Sequence, residues 1–280
     1  MLYYYTNTGH KIGLERLRRG AALLNTLSKS GKEVRLLVND FRAGLVAREL
    51  GVNEYVTIEG IQDIDAIAQN GDSIIIDSIE DDHGRLVKYC SDFKEVWRFA
   101  HDKEDSTIHN EHIINQDTIL VDDTYFEEKE KEKEKEKEER VLFFLGDSDY
   151  DKIILGNKTF FKSFDMELLL GNYFFVKYED DLAKLFSTLH EPEMYETLIK
   201  SSTTIVTTSS QTALEASVSG AKVIYIDLNQ SSALYSTSLL AFYGIQIIEG
   251  FDKEKLNDLV QDNLVENKNF IDKIDGKIFH

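Results

Sequence analysis

The stretch 205–230, IVTTSSQTALEASVSGAKVIYIDLNQ, constrains the fold more than any other part of this 280-residue chain. A β-rich run at 203–207 enters the polar turn Thr208-Ser209-Ser210-Gln211. Ala213, Leu214, Ala216, Ser217 and Val218 then predict a helix, which Gly220 closes. A wholly apolar strand follows at 223–226, and after it a second polar turn, Asp227-Leu228-Asn229-Gln230. Continuous apolar strands joined by a short helix read as neighbours in a buried parallel sheet. The first turn sets hydroxyls and backbone N–H groups at a helix N-terminus, where an anion is stabilised. Glu215, one turn inside, is placed to accept hydrogen bonds from ribose hydroxyls. The same residues also fit a plain structural role, with Ser209 or Ser210 capping the helix and Glu215 facing solvent.

The rest of the chain repeats this alternation. Strands are expected at 2–6, 34–38, 55–58, 73–77 and 95–99, and helices at 14–27, 43–50, 63–69 and 85–89. After the first strand comes the polar loop Asn7-Thr8-Gly9-His10-Lys11-Ile12-Gly13, and the fourth strand ends in a carboxylate, Asp77. Residues 129–139, KEKEKEKEKEE, place like charges at i,i+4 against opposite charges at i,i+3, and as a strand would bury neither face. They read as a solvated spacer at a domain boundary. Beyond it the pattern restarts, with strands expected at 141–145, 173–176, 203–207, 223–226 and 245–248. Helices are expected at 180–189, 194–201, 234–242 and 253–265. The expected organisation is an α/β protein of two domains, 1–122 and 141–280, joined by a charged linker at 123–140. Two such halves make a cleft, a usual place for a small-ligand site.

Composition bounds the partners. A formal net charge of −19 argues against a surface for nucleic acid or anionic membrane. It leaves room for a phosphate held by backbone amides. Cys90 is the only cysteine, which suits a reducing cytoplasm and rules out a thiolate metal cluster. No apolar run approaches a membrane span and the N-terminus is too polar for a signal peptide, so no membrane insertion is expected. His101, Asp102, His109 and His112 lack convincing ligand spacing, so no metal is expected.

These motifs resemble the family of UDP-sugar hydrolases of pseudaminic acid biosynthesis, which remove UDP from a 2,4-diacetamido-2,4,6-trideoxy sugar. The resemblance implies two Rossmann-like domains of the GT-B type with a cleft between them. Ser209, Ser210, Glu215 and Ala216 look like the family's nucleotide-holding turn and helix, and Asn229-Gln230 like the turn after it. Gly146-Asp147-Ser148-Asp149 echoes its Gly-Gly-x-Asp turn with one glycine replaced. Asp77 matches its Ile-Ile-Asp strand end, and His109, Glu111, Ile113, Ile114 and Asn115 its His-x-Asp-x-Leu-Leu-Asn stretch.

The first loop departs from that pattern. In the preferred register Ile12, Gly13 and Arg19 match the family's Ile-Gly-x-Gly-His-x-x-Arg, while Glu15 replaces a glycine and Arg16 the catalytic histidine. In the competing register Gly9-His10 supplies the Gly-His. An arginine is no general base near neutral pH, so His10 is the expected base, with Asp77 beside it as the second catalytic residue. Gly9, Lys11, Gly13, Arg16, Arg19, His109 and Asn115 are the expected sugar- and phosphate-binding residues. Gly146, Ser209, Ser210, Thr212, Glu215, Asn229 and Gln230 are expected to hold the nucleotide. The implied activity is hydrolysis of a UDP-sugar or other nucleotide sugar for a surface or flagellar sugar, without a cofactor. A nucleotide-sugar-binding protein without catalysis, or a glycosyltransferase on the same scaffold, are the alternatives.

Overall fold

The computed structural model describes residues 1–126, 137–229, 233–262 and 269–275. It divides into two compact units, Met1–Asp123 joined by residues 273–275, and Thr124–Asp272. The expected spacer lies mostly in 127–136, outside the described residues. The expected nucleotide residue Gln230 lies outside them too.

The first unit runs β1 (Leu2–Thr6), α1 (Glu15–Lys29), β2 (Val34–Val38), α2 (Phe41–Glu49), β3 (Tyr55–Thr57), β4 (Ser73–Asp77), α3 (Arg85–Asp92), β5 (Glu95–Phe99) and β6 (His112–Ile114). Its sheet has the order β3-β2-β1-β4-β5-β6, all parallel. All five residues of β1 are buried, as befits a strand with partners on both edges and helices on both faces. α1 lies so close to β1 that a Cβ on Gly20 would come within 2.4 Å of the Tyr4 ring. The helix expected at 63–69 is a 3-10 helix, Ile61–Ala66. β6 was not expected: three residues at a sheet edge give no periodicity to read.

The second unit runs β7 (Glu138–Phe144), α4 (Ile153–Gly156), α5 (Lys158–Phe161), β8 (Glu167–Leu169), α6 (Val176–Leu182), β9 (Thr188–His190), α7 (Tyr195–Ser201), β10 (Ser202–Thr207), α8 (Ser210–Val218), β11 (Lys222–Asp227), α9 (Thr237–Phe242), β12 (Gln246–Glu249) and α10 (Lys253–Gln261). Its sheet order is β12-β11-β10-β7-β8-β9, again all parallel. Counted from the first strand of each unit, both sheets have the order 3-2-1-4-5-6, that of a Rossmann fold. The core of this unit is aromatic, with Phe143, Phe160, Phe161 and Phe186 packed around β7.

Three expectations are revised in this unit. The strand expected at 173–176 is a turn that enters α6. Its apolar look comes from Tyr173, which is buried while its N–H bonds to the Asp147 carbonyl at 2.8 Å. The helix expected at 180–189 ends at Leu182, and Thr188–His190 instead pairs with β8 as an edge strand. β7 also begins at Glu138, inside the expected linker, because β10 extends to pair with it (Ser202 with Glu138).

Candidate functional site

In a Rossmann sheet the order reverses at one point, and ligands bind beside it at the carboxyl ends of the strands. In the first unit that point lies between β1 and β4, where Thr6 pairs with Asp77. The loop after β1 is shaped by Gly9 and Gly13, both at positive φ (147° and 77°). Gly9 accepts from the N–H groups of Ile12 (3.0 Å) and Gly13 (2.8 Å). Asn39, after β2, grips Thr8 like a short piece of sheet. Its Oδ1 accepts from the Thr8 N–H at 2.7 Å, and its Nδ2 donates to the Thr8 carbonyl at 3.1 Å. His10 is half-buried and Lys11 exposed on this anchored loop.

Asp77 is buried under four donor contacts. Arg19 forks onto it, Nε to Oδ2 at 3.0 Å and Nη2 to Oδ1 at 2.5 Å. Tyr4 donates its hydroxyl to Oδ2 at 2.5 Å, and Arg16 Nε lies 3.4 Å from Oδ1. The Arg19 guanidinium also lies over the Phe99 ring, 3.7 Å from its centroid. The sequence paired Asp77 with His10 as catalytic and Arg19 with phosphate. The structure gives the two residues to each other, in a clamp that fastens α1 to β4. Arg16 belongs to the same ion pair and is only slightly exposed.

The remaining first-unit residues separate. Asn115 follows β6, at the carboxyl end of the sheet, where its Oδ1 accepts from the Asp117 N–H at 3.0 Å. His109 precedes β6, toward the opposite end, so the two do not meet. The His109 N–H instead donates to Glu111 at 2.7 Å. Burial raises the pKa of Glu111, but bonds from the His109 and Ile108 amides, with Arg98, outweigh it and hold the group below its ordinary range.

In the second unit the order reverses between β7 and β10, where Phe144 pairs with Thr207. Gly146 (φ 138°) opens the turn after β7. Behind it, a Cβ on Gly171 would lie 2.4 Å from the Asp147 backbone, so only glycine lets the loop after β8 come this close. The sequence did not single out Gly171. Asp149, buried, accepts from the Ile153 N–H at 2.6 Å and from the Tyr178 hydroxyl. The adjacent turn after β10 is tied to β7 by a bond from the Thr208 hydroxyl to the Leu145 carbonyl. Asn229, exposed and at φ 53°, follows β11 and accepts the third place on this edge.

Ser209 caps α8, its Oγ accepting from the Thr212 N–H at 3.2 Å and the Thr212 hydroxyl at 2.7 Å. Thr212 Oγ1 lies 2.7 Å from the Tyr195 hydroxyl. That hydroxyl donates to Glu215 Oε2 at 2.6 Å, and Gln211 Nε2 donates to Oε1 at 2.9 Å. Ser210 Oγ accepts from the Tyr235 N–H at 3.3 Å. Glu215 is 2% exposed, so neither solvent nor a ribose reaches it in this arrangement. It is the hub of a buried network that fixes the first turn of α8.

Among the described residues, no group of three or more His, Cys, Asp or Glu side chains is placed to hold a metal. No described helix is long and apolar enough to cross a membrane.

No family model matches the sequence, and no curated protein matches it. Solved structures do. The chain resembles UDP-GlcNAc 2-epimerase from Methanocaldococcus jannaschii with a TM-score of 0.55 at 13% identity, over 96% of this chain and 94% of that one. CalG4, the calicheamicin glycosyltransferase, gives 0.54 at 10% identity over 93% and 90%. UDP-GlcNAc 2-epimerase from Neisseria meningitidis gives 0.51 at 10% identity over 93% and 92%. These likenesses establish the fold: two Rossmann-like units of the GT-B type.

Proposed function

We propose that this chain binds a UDP-sugar and hydrolyses it, releasing UDP. The observation that carries the reading is the pair of polar turns, Gly146–Asp149 and Thr208–Thr212, on either side of the strand-order reversal in the second unit. A diphosphate suits that place, at the N-terminal turn of α8; Ser209, Ser210 and Thr212 are buried and shape the turn from within, and the exposed Asn229 lies on the neighbouring turn. Two of the structural neighbours are epimerases of UDP-GlcNAc, and one of them was solved with UDP-GlcNAc and UDP. The sequence resemblance narrows the substrate to a UDP-2,4-diacetamido-2,4,6-trideoxy sugar of pseudaminic-acid-type biosynthesis. Within the first unit, Gly9, His10, Lys11 and Gly13 of the loop after β1 and Asn115 after β6 are the proposed sugar-side residues, at the carboxyl end of that unit's own sheet.

His10 takes a proton from water as the water oxygen bonds to the sugar; the bond to the diphosphate breaks and UDP leaves with the electron pair. A histidine suits this step because a neutral imidazole has one unprotonated ring nitrogen able to accept the proton. Asp77 acts indirectly, by holding α1 and the loop before it. One observation favours a second reading, a binding protein without catalysis: Arg16, standing where the family has its histidine, is engaged with Asp77.

The assay is UDP release from 2,4-diacetamido sugar nucleotides and common UDP-sugars. His10→Ala is expected to lower turnover by about 100-fold or more while UDP affinity stays unchanged. Turnover that survives His10→Ala keeps the hydrolase and removes the histidine from the chemistry. Tight UDP binding with no turnover of any sugar nucleotide leaves the binding protein.

A further inference from the structure

The Gly146–Asp149 turn has neither helical nor strand backbone. It is braced from outside by the loop after β8, where three consecutive residues converge on Asp147. A Cβ on Gly171 would lie 2.4 Å from the Asp147 carbonyl carbon. Asn172 Nδ2 donates to Asp147 Oδ1 at 3.1 Å. The Tyr173 N–H donates to the Asp147 carbonyl at 2.8 Å. Tyr173 is itself buried, which roots the loop in the body of the unit, and Asn172 beside it is half-buried.

Backbone N–H groups hold a phosphate well only when they are aimed before it arrives, since a turn ordered on binding loses that cost in affinity. Asp147 adds a second demand. Its carboxylate is 3% exposed and belongs to the turn proposed to meet a diphosphate, where a carboxylate turned toward the ligand would repel it. The Asn172 amide is a neutral donor that holds this carboxylate toward the β8 loop. Gly171 and Tyr173 reach Asp147 through their backbone. Asn172 reaches it through its side chain, which can be changed without altering the course of the chain.

We propose that Asn172 is a positioning residue for the diphosphate: by holding Asp147 it keeps the Gly146–Asp149 turn in the form that binds UDP. The inference rests on the UDP-sugar reading above and concerns the second unit alone. It deepens that reading by naming what presets the phosphate turn.

The test is a double-mutant cycle on UDP affinity, measured by calorimetry for wild type, Asn172→Ala, Asp147→Ala and the double variant, with Asn172→Asp beside them. Asn172→Ala is expected to weaken UDP binding about 3- to 10-fold in the wild-type background and to change nothing in Asp147→Ala, because it acts through that carboxylate. Asn172→Asp sets two carboxylates together and is expected to lose more than Asn172→Ala near neutral pH. At about pH 5 a proton shared by the pair restores a donor, and the gap between the two variants should close. A role in folding alone predicts lower denaturation midpoints with UDP affinity intact, and that result overturns the proposal. So does an equal loss of affinity from Asn172→Ala in both backgrounds, or an Asn172→Asp defect that does not lessen on acidification. A wild type that does not bind UDP overturns the UDP-sugar reading itself, and this inference with it. Wild-type UDP binding that Asn172→Ala leaves intact overturns this inference alone.

Discussion

Asp77→Ala is expected to destabilise the first unit by about 3–5 kcal/mol, because it removes the buried carboxylate onto which the buried Arg19 guanidinium forks, with Arg16 beside it. Arg19 is almost fully buried and has Asp77 on one side and the Phe99 face on the other. Removing the carboxylate also takes away the acceptor 2.5 Å from the Tyr4 hydroxyl, whose ring packs beneath Gly20 of α1. The helix that follows the His10 loop therefore loses its main polar tie to β4, and turnover should fall with stability. Denaturant unfolding followed at Trp97, the one tryptophan and a residue of β5 in this sheet, measures the effect directly. An Asp77→Ala variant that unfolds with wild type would mean the clamp does not hold α1.

The second large effect is expected at Glu215. Glu215→Ala leaves the Tyr195 hydroxyl and the Gln211 amide without the acceptor each now uses. Losing the shared acceptor of two buried hydrogen bonds, with Thr212 still 2.7 Å from the Tyr195 hydroxyl, is expected to cost about 1–3 kcal/mol in the second unit. Because Tyr195 also meets Thr212, and Thr212 meets the capping Ser209, the same change loosens the first turn of α8. UDP affinity should fall for that reason and not through a lost ribose contact. Glu215→Gln keeps an acceptor oxygen and should show less than half of either effect. Wild-type melting in Glu215→Ala together with weakened UDP binding would contradict this assignment and return the residue to the ribose.

The difference between these two carboxylates and their reading in the sequence has a common cause. Strand ends and turns are written locally: β1, β2, β4 and β5 fall where apolar runs stop at a glycine or a polar residue, and Ser209 announces the start of α8 within four residues. The alternation of strands and helices was therefore legible, and with it both Rossmann-like units. What a carboxylate faces is not local. Asp77 meets Arg19, 58 positions away, and Glu215 meets Tyr195, 20 positions away. The sequence makes Asp77 a catalytic residue and Glu215 a ribose contact because the partners that occupy them come from other elements. The tie from Asn172 to Asp147 was invisible for the same reason, since the two lie 25 positions apart. Short strands are illegible for a different reason: β8 and its edge neighbour β9 are three residues each, too few for a period, and the buried Tyr173 imitates a strand.

In the proposed function UDP sits at the strand-order reversal of the second unit. Amide hydrogen exchange with and without saturating UDP tests it most directly, because bound phosphate would engage the backbone N–H groups there. The account predicts slowed exchange concentrated in Gly146–Asp149 and Thr208–Thr212, on the turns that follow β7 and β10. Exchange unaltered by UDP throughout the chain, or slowed only in the first unit, would contradict it.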